Sequence, residues 1–238
     1  WASFPAEPHA RRLLREFESE TNATPWTLSL RQQDVKQSWQ VHLNGQSIGR
    51  LVQDENDLCT DFEIQAGVII NGQNSLEIFQ TGSEVGDDIR VGEIQLHRIA
   101  SKILRSEATL EVSLTDEKGN PLPGRITIVD EAGTLMPVGA NSGNGLAVRN
   151  GVIYSSTGHS TFGVATGSYT LFGGRGFEYG IDQTDVSVMP GQHIKRTLKL
   201  KREVDTASWV ACDTHVHTLT HSGHGDCSIE ERMVTLAG

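Results

Sequence analysis

Residues Ser38–Leu51 read SWQVHLNGQSIGRL, and this stretch settles the class of fold. Trp39, Val41 and Leu43 alternate with Gln40, His42 and Asn44, a period of two that puts one face of a strand into a core. Asn44-Gly45 follows, the pair that best tolerates the two positive φ angles of a tight hairpin. Ile48 and Leu51 then resume the apolar face. The reading is a β-hairpin packed on one side.

The same grammar recurs outward from this hairpin. CTDFEIQAGVIINGQNSLEIFQ gives two strand-like runs separated by NGQN, and DDIRVGEIQLHRI gives another with Ile89, Val91, Ile94 and Leu96 as apolar positions. Short strands at this spacing predict an antiparallel sandwich over residues 1–105. The opening EPHARRLLREFESE fits either a helix, with Leu13, Leu14 and Phe17 on one face, or a first strand. From Ser106 the pattern restarts. ATLEVSLTD places Leu110, Val112 and Leu114 on one side, a Gly/Pro turn leads into a strand at Arg125–Asp130, and GSYTLFGGRGFEYG and DVSVMPGQHIKRTLKLKR supply three more candidates. A second sandwich is expected over 106–202, with Glu203–Ala211 as a linker.

Composition bounds the chemistry. A net charge of −10 argues against nucleic acid and anionic membranes as partners, which reward clustered Lys and Arg. No run approaches the roughly 18 apolar residues of a membrane helix. Cys59, Cys212 and Cys227 are too few and too scattered for a disulfide framework. The chain opens at Trp1 with no charged-then-apolar leader, so a signal peptide is expected to be removed or not included. Asn22-Ala23-Thr24 matches a glycosylation acceptor, a tripeptide common by chance.

Residues 203–238 differ in kind. Six acidic residues face one basic residue, Arg232, and four of the nine histidines fall here. WVACDTHVHT reads as a short strand. Ser228, with Glu231 three positions on, is a helix N-cap with capping-box spacing. His215 and His217 are two apart, so on a strand both imidazoles share a face and can converge on one cation. Asp213 shares that face and is placed to orient a ligand. His221, His224 and Asp226 lie in the following loop, and His224 and Asp226 are the stronger candidates for further ligands. Imidazole with carboxylate suits Zn, Mn or Fe. The competing reading is an exposed histidine-rich tail with adventitious affinity for metals. Cys212 and Cys227 are possible soft ligands. The acidic DENDLC reads as a solvated turn, and FGGRGFEYG as a loop, since no helix follows to aim N–H groups at a phosphate. No serine or cysteine sits in a nucleophile turn.

ACDTHVHTLTHSGHGDCSIEERM resembles the first motif of the polymerase-and-histidinol-phosphatase (PHP) metallohydrolases, and within them the branch of carbamate-cleaving hydrolases of the CehA/McbA type. The resemblance implies that His215 and His217 bind divalent metal, with His224 or Asp226 completing or supporting the cluster. It also implies the start of an α/β barrel whose later motifs are missing, hydrolysis of phosphoester or carbamate-like small molecules by metal-activated hydroxide in the parent enzyme, and an inactive 238-residue chain. WQVHLNGQSIGRL, NGQNSLEI and DDIRVGEIQL resemble a galactose-binding jelly roll, and GNPLPGRITIVDEAG with GSYTL resembles carboxypeptidase-regulatory sandwiches. Both likenesses imply accessory modules of extracytoplasmic hydrolases. The alternative is a non-catalytic module that binds carbohydrate, with Trp26 as the platform, or a protein, or that mediates homo-oligomerisation.

Overall fold

The computed structural model describes residues 9–82 and 86–238. It divides into two compact units, Trp1–Leu104 and Arg105–Gly238. The fold is mainly β, and each unit has its own buried core.

The first unit holds β1 (Arg12–Ser19), β2 (Trp26–Gln33), β3 (Trp39–Leu43), β4 (Gln46–Arg50), β5 (Leu58–Ile64), β6 (Gly72–Gln80), β7 (Arg90–His97) and the single-turn α1 (Ser101–Leu104). Two sheets, ordered β1-β6-β3-β4 and β5-β2-β7, share one core. Trp39, Val41, Leu43, Leu76 and Ile78 from the first meet Leu28, Leu30, Phe62 and Ile64 from the second. β3 and β4 form the hairpin expected from the sequence, with Asn44 at φ 51° and Gly45 at φ 76°. The ambiguous opening segment is strand β1, an edge strand paired antiparallel with β6.

Three expectations change here. NGQN is not the turn: Gly72–Asn74 already belongs to β6, and the bend lies earlier, at 66–71. Val68 and Ile69 are apolar because the bend drops them into the core, not because they continue a strand. Asn22 cannot carry a glycan in the folded chain. It is buried, its amide donates to the Thr24 and Gln65 carbonyls at 3.0 and 2.8 Å, and its oxygen accepts from Ile69 N–H at 2.9 Å. Trp26 is the third correction. Its ring lies inside the core at 7% exposure, so it offers no open face on which a sugar could stack.

The second unit holds β8 (Ala108–Thr115), β9 (Gly124–Val129), β10 (Leu146–Arg149), β11 (Val152–Ser155), β12 (His159–Val164), β13 (Gly167–Gly174), β14 (Asp182–Val188) and β15 (His193–Lys199), then the helices α2 (Leu219–Ser222) and α3 (Ile229–Ala237). A five-stranded sheet, β10-β11-β9-β13-β14, faces a three-stranded one, β12-β8-β15, in which β15 runs parallel to β8. Leu110, Val112 and Leu114 of β8 pack into one core with Ile126, Ile128, Ile153 and Leu171 of the facing sheet.

Residues 203–206 are not a free linker. Glu178 holds them: its carbonyl accepts from the N–H groups of Glu203 and Val204, and its carboxylate binds Thr206 Oγ1 and Arg202. The strand expected over 209–218 is also absent. A strand needs a hydrogen-bonded neighbour, and none of the described strands pairs with this stretch, whose Trp209 and Val210 are 80% and 90% exposed. Beyond the second sandwich the chain therefore forms an extended loop and two helices, with no strand of a barrel among the described residues. No helix among the described residues is long and apolar enough to cross a membrane.

Candidate functional site

The histidine segment folds around two buried anchors. Thr218, 4% exposed, caps α2: its hydroxyl accepts from His221 N–H, and its own N–H donates to Ser222 Oγ at 3.1 Å. Cys227 is buried beside it, and its carbonyl accepts from Leu219 N–H at 2.9 Å. Burial pushes the Cys227 thiol up, with the neighbouring Asp226 charge adding to the effect, so it is a poor candidate for a thiolate ligand. Between the anchors the loop turns at Gly223, in the left-handed conformation at φ 67°, and closes over the backbone of His217 at Gly225. There is room for no more than a glycine hydrogen over that carbonyl without displacement: a Cβ at Gly225 would lie 3.3 Å from it, at φ 124°.

This folding gathers three imidazoles at the surface. Asp213 Oδ1 accepts from His215 N–H at 3.0 Å, an Asx turn that bends the chain into the H-x-H pair. His215 Nε2 and His217 Nε2 then meet at 2.6 Å. His224 lies against His217, ring centroids 4.4 Å apart and planes tilted by 35°. Asp213 thus acts through the backbone of His215, not on an imidazole. His221 caps into α2 by its N–H and is apart from the group.

Asp226 is not with the imidazoles. Its carboxylate faces Arg149 of β10 at 3.3 Å and Arg232 of α3, two cations that hold it by charge-assisted hydrogen bonds. Burial opposes its ionisation, but hydrogen bonds from its own backbone and from Arg149, with the charge of Arg232, hold its carboxyl below the usual range. The N-cap at Ser228 is as the spacing predicts: its hydroxyl accepts from Glu231 N–H at 3.3 Å. The reciprocal half of a capping box is missing, because Glu231 is diverted. Its carboxylate takes hydrogen bonds from Arg149 and, at 2.7 Å, from Ser142 Oγ. Arg149 is the residue that sequence reasoning passes over. It stands 77 residues before Asp226, in a stretch with no motif of its own.

Two imidazole nitrogens 2.6 Å apart suit a shared proton or a shared cation. The pair fits one edge of a tetrahedral ion, since metal–nitrogen bonds of about 2.0–2.1 Å put ligand atoms roughly 3.3 Å apart and exposed rings can open by that difference. His224 is the nearest third ring. Yet no group of three or more His, Cys, Asp or Glu among the described residues is arranged to hold a metal ion.

Comparison with known proteins adds little. No family model matches the chain, and no curated protein matches it. Among solved structures, the major pilin subunit of Bacillus cereus is 12% identical over 76% of this chain and 61% of that one, with a TM-score of 0.30. The minor pilin GBS52 of Streptococcus agalactiae is 13% identical over 78% of this chain and 86% of that one, with a TM-score of 0.36. A GH2 β-galacturonidase of Eisenbergiella tayi is 13% identical over 74% and 34%, with a TM-score of 0.28. The chain spans about three fifths of the Bacillus pilin it matches. Scores of this size place it in none of these families.

Proposed function

We propose that residues 203–238 carry the first ligands of a divalent-metal centre in a PHP-type hydrolase, and that the two β-sandwiches are its non-catalytic accessory modules. The observation that carries this reading is the convergence of His215 Nε2 and His217 Nε2 to 2.6 Å on a loop that a buried threonine and a buried cysteine hold in place. A bound divalent ion would supply a water acidic enough to ionise near neutral pH, and with it a hydroxide for attack on a phosphoester or carbamate-like centre. The chain's own part is narrower. His215 and His217 present ring nitrogens, Asp213 fixes the turn that aims the first of them, and His224 backs the second. Two imidazoles leave coordination positions unfilled, so the reading expects metal binding by this chain without turnover.

The exposed apolar residues around the loop agree with it. Trp209, Val210, Val216 and Leu219, with Met233 and Leu236 of α3, form surface that the remaining layers of an α/β barrel would cover. Extracytoplasmic location belongs to the same proposal, through the resemblance of the sandwiches to accessory modules of such enzymes.

A second reading, a non-catalytic β-sandwich interaction module, is favoured by the architecture, since both buried cores belong to sandwiches and no three-ligand group is assembled among the described residues. The same experiment separates the two. Co²⁺ titration of the chain, followed by absorption, is expected to show one equivalent bound, with His215→Ala and His217→Ala each losing it. If both variants bind as the parent does, the imidazole pair is not a metal site and the module reading takes over.

A further inference from the structure

We infer that Arg149 is a positioning residue for the imidazole group, so that the second sandwich carries the histidine loop rather than merely preceding it. The inference rests on the metal-site reading above. Arg149 is the last residue of β10 and pairs with Val152 across the tight turn into β11, whose neighbour β9 lies in the middle of the sheet. Its guanidinium therefore projects from the turn end of an edge strand that is paired into the sheet through β11.

Its two arms serve two points of the histidine segment. One nitrogen binds Glu231 in the first turn of α3, and the other reaches Asp226 at 3.3 Å in the loop. Ser142, whose own Oγ accepts from Val148 N–H at 2.9 Å, adds a second bond from the sandwich to Glu231. Asp226 is two residues from His224 and adjoins Gly225, where an added Cβ would lie 3.3 Å from the His217 carbonyl, so the loop passes close over that backbone. A chain of contacts thus runs from β10 through Asp226 to the His217–His224 ring pair, and from there to His215. A planar fork suits this task, because a single guanidinium can hold two carboxylates at fixed relative positions where an ammonium cannot.

The diversion of Glu231 is a separate sign of the same design. Glu231 has capping-box spacing and could close the box on Ser228, yet its carboxylate leaves the helix for the sandwich. α3 is tied down at the cost of half its cap.

The test uses the full 238-residue chain and two readouts. The first is the ring-to-ring nuclear Overhauser effect between His217 and His224, which needs no metal. The second is Co²⁺ affinity. Arg149→Ala is expected to lose the ring contact and to weaken Co²⁺ binding about 10- to 100-fold, the usual effect of removing a group that orients ligands from behind. Arg149→Lys, which keeps the charge but not the fork, should recover part of each, and the thermal midpoint of the sandwich should not move in either. If Arg149→Ala keeps both the ring contact and the affinity while His215→Ala abolishes binding, Arg149 positions nothing and the metal reading stands. If Arg149→Ala loses the ring contact while His215→Ala leaves Co²⁺ binding intact, the metal reading fails and the positioning role of Arg149 stands.

Discussion

Replacing Asn44 tests whether the hairpin that decides the fold is held by its turn alone. Asn44 sits at φ 51°, a conformation that costs an ordinary L-residue roughly 1–2 kcal/mol. Its side chain does more than tolerate that angle. The amide donates to Val68 O at 2.8 Å and to Asn74 Oδ1 at 2.7 Å, and its oxygen accepts from Ser75 N–H at 2.9 Å. Asn74 retains a partner in Ile70 N–H if Asn44 is lost, whereas Val68 O and Ser75 N–H lose the side-chain bond Asn44 gives them. At about 1 kcal/mol net per bond, Asn44→Gly removes some 3 kcal/mol while keeping the turn. Asn44→Ala loses the same bonds and adds the left-handed strain, partly offset by a stiffer unfolded chain, for about 4 kcal/mol. Asn44→Asp keeps the acceptor and the tolerance of positive φ but turns an anionic oxygen towards Val68 O and Asn74 Oδ1, two acceptors, and should lose at least about 3 kcal/mol. Urea unfolding followed by the fluorescence of buried Trp26 and Trp39 reads the first sandwich. The second unit's far-UV transition serves as the internal control, each transition being fitted separately. If Gly and Ala were equally destabilising, the positive φ would not matter. If all three variants lay within about 0.5 kcal/mol of the parent, the side-chain bonds to the 68–75 segment would be worth nothing and the reasoning would fail.

Two further outcomes are expected. Asn22→Ala should cost the first unit about 3 kcal/mol by freeing the 65–70 bend, and the parent made in a glycosylating host should show no added mass by intact-protein mass spectrometry once folded; a glycosylated yet folded product would refute the buried placement. Glu231 is pulled two ways: burial opposes its charge, but the hydrogen bonds from Arg149 and Ser142 prevail and hold its carboxyl below the ordinary range. A depressed folded value means that the docking of α3 is fully stabilised above the ordinary carboxylate value of about 4.3 and weakens as the pH falls through the folded one. Amide shifts of Thr235 and Ala237 should therefore move towards coil values below about pH 4, ahead of the sandwich core; α3 shifts that stay native until the core itself unfolds would contradict this.

How much of this was legible depends on which interactions are local. The hairpin at Asn44 and the cap at Ser228 are written within a few residues, and both are found where the sequence puts them. β1 stayed ambiguous because it is an edge strand: charged Arg12, Arg15, Glu16 and Glu18 leave Leu13 and Phe17 four apart, a helical spacing as much as a strand's. β2 misleads differently. It is the central strand of its sheet and is buried along both faces, Thr27, Ser29 and Arg31 as well as Leu28 and Leu30, so nothing in its pattern marks Trp26 as interior. Arg31 is tolerated there because Asp57 and Glu93 pair with it and hold its guanidinium more firmly protonated than usual. In the candidate site the imidazoles were legible as a motif, since i and i+2 are neighbours in any extended chain. Asp226 was not, because one of the two cations that claim it, Arg149, comes from β10, 77 residues earlier.

That difference bears on what orders the histidine segment. Residues 207–226 bury Thr218 and little else, and their large apolar side chains, Trp209 and Val210 among them, face solvent. A segment with so few buried contacts has little packing energy with which to fix three rings in place. Its order must come from the Asx turn at Asp213, the caps at Thr218 and Ser228, and the ion pairs to Arg149. A bound ion would add the rest, because ligands organised by a metal convert binding energy into local folding energy. The two readings of the chain therefore diverge on one measurable property. If the imidazole pair is a metal site, Zn²⁺ should slow amide exchange from His215 to Cys227 and leave the sandwich strands unchanged. If the chain is only an interaction module, exchange in that loop will be indifferent to Zn²⁺ and will follow the state of Arg149 alone.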